Sequence, residues 1–397
     1  MRRHFKRLFP NFAVTFLERK INLSAPGAVV GGLVLLAAEA DAIKPLISIM
    51  GVGLPSIRAA AKRLAGVALL TPILRSDAID KLARCSVHFK SEHLQRTGSF
   101  KFRGACNAVF ALDDEAAARG VVAHSSGNHG AAVSAAAQAR GVPCTIIVPD
   151  TTPLAKQENI KRYGAELVLC APTQQARTET SNAIAERDGA ALVHPYNDEL
   201  VAAGQGTIGL ELLEQVPSLD AILVPVSGGG LIGGIAAAAK AIKPSIRMIA
   251  CEPAGKRLGE ALQADERVID ASIADAALDT ICDAIRTQPL GPIPWALARE
   301  LVDSRVLSAD DAMVRAALCL TMSELKQAVE PAGAIALACL LSPEFGELQR
   351  EAEAEGTPLR EVGVVVCGGN ADLAGLAEQV HLHLAEVDAT RTDSSPS

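Results

Sequence analysis

The sequence has 397 residues, of which 49% are hydrophobic, 21% charged and 3% aromatic, with a formal net charge of −7. This is the composition of a folded chain long enough for two domains; nucleic-acid binding would need a basic footprint or aromatic stacking platforms, and neither is present. The longest apolar run, over 27–38, stops at Glu39 and Asp41 and falls short of the ~20 residues that span a bilayer, so no membrane partner is expected.

The first residues, Met1-Arg2-Arg3-His4-Phe5-Lys6-Arg7, are basic, but a mixed stretch separates them from the apolar run, unlike a signal peptide. An Arg-rich targeting helix is one reading. Residues 1–49 are otherwise expected to be an accessory extension, or translation from a start upstream of Met50. From there the chain alternates strand, turn and helix. Strands are expected over 121–124, 144–148, 167–170 and 191–194, with helices over 154–163, closed by Gly164, and over 178–187. These make a small α/β domain, 120–197. Residues 50–119 and 198–385 form a larger domain, with strands over 221–226, 247–251 and 362–367. Residues 386–397, rich in Thr, Asp, Ser and Pro, read as a disordered tail. Such alternation implies parallel sheets covered on both faces. Nine cysteines, an odd number without a C-x-x-C pair, argue against a disulfide framework or zinc ribbon and suit a reducing cytoplasm.

Three loops carry chemistry. In Thr97-Gly98-Ser99-Phe100-Lys101-Phe102-Arg103-Gly104-Ala105 a lysine is flanked by phenylalanines at the start of a helix. Desolvation would lower its pKa and favour a nucleophilic amine; a lysine that snorkels from a helix face is the alternative. His124-Ser125-Ser126-Gly127-Asn128-His129-Gly130 joins a strand to a helix. Its amides and hydroxyls can cradle a carboxylate, or Ser125 or Ser126 can simply cap the helix. Ser227-Gly228-Gly229-Gly230-Leu231 follows a strand and opens a helix. Its glycines let backbone N–H groups converge on a phosphate, although it is neither G-x-G-x-x-G nor a P-loop.

SFKFRG, HSSGNHG and SGGGL in this order resemble the fold-type-II pyridoxal-phosphate enzymes, which are tryptophan synthase β-like, and within them the serine/threonine dehydratase and serine racemase branch. TPILRS at 71–76, AGQGTIGLE at 203–211, EPAGA at 330–334 and VCGGN at 366–370 extend the resemblance from about Leu54 to Leu384. It implies two parallel-sheet α/β domains with the active site between them.

By this resemblance Lys101 holds pyridoxal 5′-phosphate and removes the substrate α-proton. Phe100 packs beside the cofactor ring, and Asn128 bonds its 3-hydroxyl. Ser227, Gly228, Gly229, Gly230 and Leu231 hold its phosphate, Cys367 faces its ring nitrogen, and Glu330 belongs to the same set. A neutral thiol cannot enforce a protonated pyridine as an aspartate does, which favours β-elimination. Ser125, Gly127, Asn128 and His129 would bind the substrate carboxylate. Ser126, where plain dehydratases carry alanine, would act as a second acid–base group on the face opposite Lys101. Arg177 is placed to bind a β-carboxylate, or is a solvated helix-face arginine.

The sequence also departs from the family. Its divalent-cation site pairs a glutamate matching Glu252 with an acidic residue six positions on, here Leu258, after Lys256 and Arg257. A well-formed Mg²⁺ or Ca²⁺ site at Glu252 is therefore not expected. The expected activity is α,β-elimination on L-serine or L-threonine to a 2-oxoacid plus ammonia, with serine racemisation beside it. A 3-hydroxyaspartate dehydratase is the alternative, and a non-catalytic binder of pyridoxal phosphate or an amino acid is the reading from another class. A cytoplasmic homodimer acting on a small hydroxy amino acid is expected.

Overall fold

The computed structural model describes residues 49–271 and 276–393. The extension read over 1–49 lies outside them, apart from Ile49. In chain order the strands are β1 (Ile73–Leu74), β2 (Ser86–Lys90), β3 (Val121–His124), β4 (Cys144–Pro149), β5 (Glu166–Cys170), β6 (Ala191–Leu192), β7 (Ala221–Pro225), β8 (Arg247–Pro253), β9 (Leu307–Ala309) and β10 (Glu361–Val365). They form two sheets, one ordered β1-β2-β10-β7-β8-β9 and the other β5-β4-β3-β6. Every pairing is parallel except β1 with β2 at one edge.

The registers follow from burial. β7 reads Ala-Ile-Leu-Val-Pro, is buried at every position and lies between β10 and β8, as befits an interior parallel strand covered on both faces. Its Ile222 and Val224 join Val364 of β10 and Ile249 of β8 in the main core. A second core forms where Val121, Ala123, Ile146 and Val148 meet Phe102, Ala105 and Val109 of the Lys101–Ala111 helix.

That helix is also held by charge. Arg103 is 1% exposed and forks onto two carboxylates. Its Nε and Nη2 donate to Glu92 at 2.8 Å each, and Nη1 and Nη2 donate to Glu211 at 2.5 and 2.8 Å. Lys90 of β2, fully buried, donates to the same Glu211 at 2.6 Å. Paired in this way the buried charges specify one docking of the helix, whereas removing one partner would strand the others.

The structure corrects two sequence-based expectations. The strand expected over 191–194 ends at Leu192: Val193 still donates to Val122 at 2.8 Å, but Pro195 has no N–H with which to continue the ladder. The tail expected to be disordered from 386 is helical to Asp393, because the Leu373–Asp393 helix, anchored by buried Leu376 and by Arg315 on Glu386 at 2.6 Å, propagates through it. Residues 394–397 lie outside the described set.

Candidate active site

One cleft of about 1450 Å³ receives all three loops. Two of them leave the carboxyl ends of parallel strands: 125–128 follows β3 and 227–231 follows β7. Cys367 and Asn370 follow β10. The carboxyl ends of strands are where an open α/β sheet leaves a crevice for a ligand.

Lys101 is brought there by a short backbone pairing. Ser99 bridges Gly368, Phe100 N–H donates to the Cys367 carbonyl at 3.1 Å, and Gly369 N–H donates to the Gly98 carbonyl at 2.9 Å. The lysine is the first residue of its helix, its Nζ 5.2 Å from the centre of the Phe100 ring and donating to the Pro195 carbonyl at 2.7 Å. Burial, the dominant cause, lowers its pKa to about 8. Cys367 is fully buried, and its Sγ donates to the Ala332 carbonyl at 3.2 Å. Desolvation pushes this thiol well above its ordinary range, so it is neutral.

Neither serine of the second loop caps the following helix. Its N-cap is Gly127, without a side-chain bond, while Gly127 N–H donates to Ser125 Oγ at 3.3 Å. Ser126 lines the cleft. Asn128 is clamped on both ends. Its Nδ2 forks to the two Glu330 oxygens at 2.9 and 3.1 Å, and its Oδ1 accepts from Asn370 Nδ2 at 2.8 Å. Burial raises the Glu330 carboxyl to about 7, against the stabilising bond from Asn128. His129 forms the floor, its Nε2 2.9 Å from the Val193 carbonyl. Burial and the Lys101 charge hold it far below the ordinary imidazole range, so Nε2–H donates and the buried Nδ1, which has no protein partner, is left as an acceptor.

The glycine loop is a cradle that no side chain can enter. Gly229 has φ of +90°, and a Cβ on Gly228 would lie 2.3 Å from the Tyr196 ring. The Gly230–Ile242 helix beyond it has neither a side-chain cap nor an acidic residue in its first turn, so its free amides face the cleft unopposed. This donor set fits a phosphorylated pyridine aldehyde: uncapped helix amides and Ser227 for the phosphate, a buried amine for the carbonyl carbon, a flanking Phe100 ring and a neutral thiol.

Arg177, Lys156 and Arg162 line the same cleft, and Lys156 reaches Asp283 at 3.0 Å. Glu252 is outside the cleft lining, buried near the end of β8, with its Oε2 accepting from Leu258 N–H at 3.0 Å. Among the described residues no group of three His, Cys, Asp or Glu side chains could hold a metal ion. Asn370, Pro195 and Tyr196 also line the cleft, although the sequence alone gives them no place in the site. The only signal was their position, at the end of VCGGN and in the HPYN turn after β6.

The chain as a whole resembles known proteins. Residues 66–368 match the family described as "Pyridoxal-phosphate dependent enzyme". A serine racemase of Oryza sativa subsp. indica is 44% identical over 327 residues, 82% of this chain and 93% of that protein. A beta-hydroxyaspartate dehydratase of Paracoccus denitrificans is 40% identical over 307 residues, 76% of this chain and 91% of its own. The solved structure of maize serine racemase superimposes with a TM-score of 0.77 at 43% identity, covering 85% of this chain and 99% of the maize chain. With residues 66–368 matching this family's model and relatives 40% and 44% identical over most of its length, the chain belongs to the pyridoxal-phosphate dependent enzyme family.

Proposed function

We propose that this enzyme eliminates water from L-serine and L-threonine, giving an enamine that tautomerises to the imine and takes up water to release ammonia and the 2-oxoacid, and that it interconverts the serine enantiomers. The observation that carries the reading is that one cleft holds both the Lys101 amine, lowered to about 8, and the uncapping Ser126 hydroxyl. When bound, pyridoxal phosphate withdraws electrons from the substrate α-carbon and makes its proton acidic. The chain's residues then handle that proton. Ser125, Asn128 and the amides of 126–128 orient the carboxylate, Lys101 takes the α-proton of the L-enantiomer, and a proton returned to the departing hydroxyl completes elimination. Ser126 serves the opposite face, where protonation gives the D-enantiomer. Cys367 would meet the ring nitrogen of the bound cofactor, and a thiol held neutral by burial would not enforce protonation there, which would favour loss of a β-substituent. The relatives named above act on substrates of this kind.

A second reading, dehydration of 3-hydroxyaspartate, is supported by Arg177, Arg162 and Lys156 around the cleft, which suit a second carboxylate. A substrate panel of L-serine, D-serine, L-threonine and both 3-hydroxyaspartate diastereomers, with 2-oxoacid and enantiomer readouts, separates the two. Exposed Leu69, Leu70 and Leu94, gathered by the Gln95 bonds to Leu69, support a homodimer. Nine free thiols support a cytoplasmic setting.

A further inference from the structure

Behind the glycine loop a second set of oxygen atoms converges on one charge. The turn that follows β8 carries Gly255 at φ +92° and Arg257 at φ +64°, and the residue between them, Lys256, is 5% exposed. Its Nζ donates to the main-chain carbonyls of Thr287 and Gln288, the latter at 2.6 Å. Glu252, 3% exposed at the end of β8, is the opposite charge acting on it. Two main-chain carbonyls hold the ammonium directly and the Glu252 carboxylate acts on it through space, beyond ion-pair distance, the kind of oxygen-rich, acidic surroundings that attract a divalent cation. Here the positive charge is tethered to the chain, and the second acid such an ion would need is replaced by Leu258, itself buried.

The carbonyls that Lys256 holds belong to the wall of the cofactor cradle. Thr287, Gln288 and Pro289 line the cleft, and Arg267 Nη1 fixes the Leu290 carbonyl at 2.9 Å. Gly291 N–H then donates to the Gly228 carbonyl at 3.1 Å, and the Leu290 side chain lies 2.8 Å from where a Cβ on Gly229 would be. Whatever fixes 287–291 therefore fixes the loop that grips the phosphate.

We propose that the Lys256 ammonium is a built-in cation, joining the Glu252 side of the fold to the 287–288 carbonyls in place of a divalent ion, and that it positions the glycine loop. Cofactor retention in this chain is then independent of divalent cations. The inference rests on cofactor binding and not on which amino acid is turned over, so its readout is cofactor loss and thermal midpoint rather than product.

The test dialyses the holoenzyme against EDTA, with and without re-added Mg²⁺, Ca²⁺ or Mn²⁺, and follows cofactor dissociation by its visible absorbance. The expected result is a rate and a thermal midpoint unchanged by chelation. Accelerated loss on chelation that Mg²⁺, Ca²⁺ or Mn²⁺ reverses would overturn the proposal, and this arm needs no variant. In Lys256→Ala, dissociation should rise roughly tenfold or more, the order expected for losing a buried charged hydrogen bond. Ethylammonium chloride should slow it again, and tetramethylammonium chloride at equal ionic strength should not. A variant that keeps its cofactor as wild type does, or one whose loss ethylammonium does not relieve, would reduce Lys256 to packing and overturn the role.

Discussion

Lys101 Nζ donates a 2.7 Å hydrogen bond to the carbonyl of Pro195, the residue that ends pairing along β6. The lysine is thereby held between two strand exits, since Phe100 just before it is bonded to Cys367 beyond β10. Its amine is buried and partnered by a neutral carbonyl rather than by a carboxylate. Burial therefore dominates, and the amine is poised near neutrality to attack a carbonyl carbon or to accept a proton.

Lys101→Ala should lose both the visible band of covalently held cofactor and turnover of L-serine, by at least the ~10²–10⁴-fold typical of a missing acid–base group. Absorbance and 2-oxoacid release measured on one preparation check this. Substantial turnover without added amine would remove Lys101 from the chemistry.

Glu330 gives a pH-dependent expectation. Its folded-state pKa, about 7, lies above the ordinary carboxyl value of 4.5, so the folded protein retains a proton that the unfolded chain releases. Its contribution to stability accordingly falls as pH rises from about 4.5 to about 7 and is constant beyond, a penalty on the order of 3 kcal/mol for a fully buried group. Glu330→Gln should remove that slope, so its thermal midpoint should gain on wild type between pH 5 and pH 8. A difference that stays flat or falls across this range would contradict the assignment.

Much of this site was legible in the sequence because the loops that build it are contiguous. The 121–124 strand, the Ser125–Ser126 turn and the three glycines could each be read from a strand ending in small residues before a helix. The buried charges could not. Arg103 meets Glu211 across 108 positions, and Lys90, fully buried in β2, lies in a short run with two polar neighbours that reads as half-exposed. β1, of two residues, and β9, of three, are too short to carry a period. The clamp of Asn128 between Glu330 and Asn370 joins three distant motifs, so only the fold reveals that one residue of each works as a unit.

Cys367→Asp probes the ring-nitrogen partner. A carboxylate in the thiol's buried place would hold the nitrogen protonated and strengthen electron withdrawal, so the variant should keep cofactor but change its visible spectrum and raise racemisation relative to elimination. Unchanged spectra and product ratios would place Cys367 away from the ring nitrogen.

Lys101 and Ser126 are assigned to opposite faces of one substrate, and kcat/KM for both serine enantiomers in wild type and Ser126→Ala separates that assignment from a shared role. In Ser126→Ala, L-to-D interconversion and D-serine dehydration should fall together by ~10²–10⁴-fold, while L-serine dehydration largely survives. No helix cap is lost with this hydroxyl, because Gly127 holds that position without a side-chain bond, so the thermal midpoint should hardly move. Parallel losses for both enantiomers would contradict the two-face account.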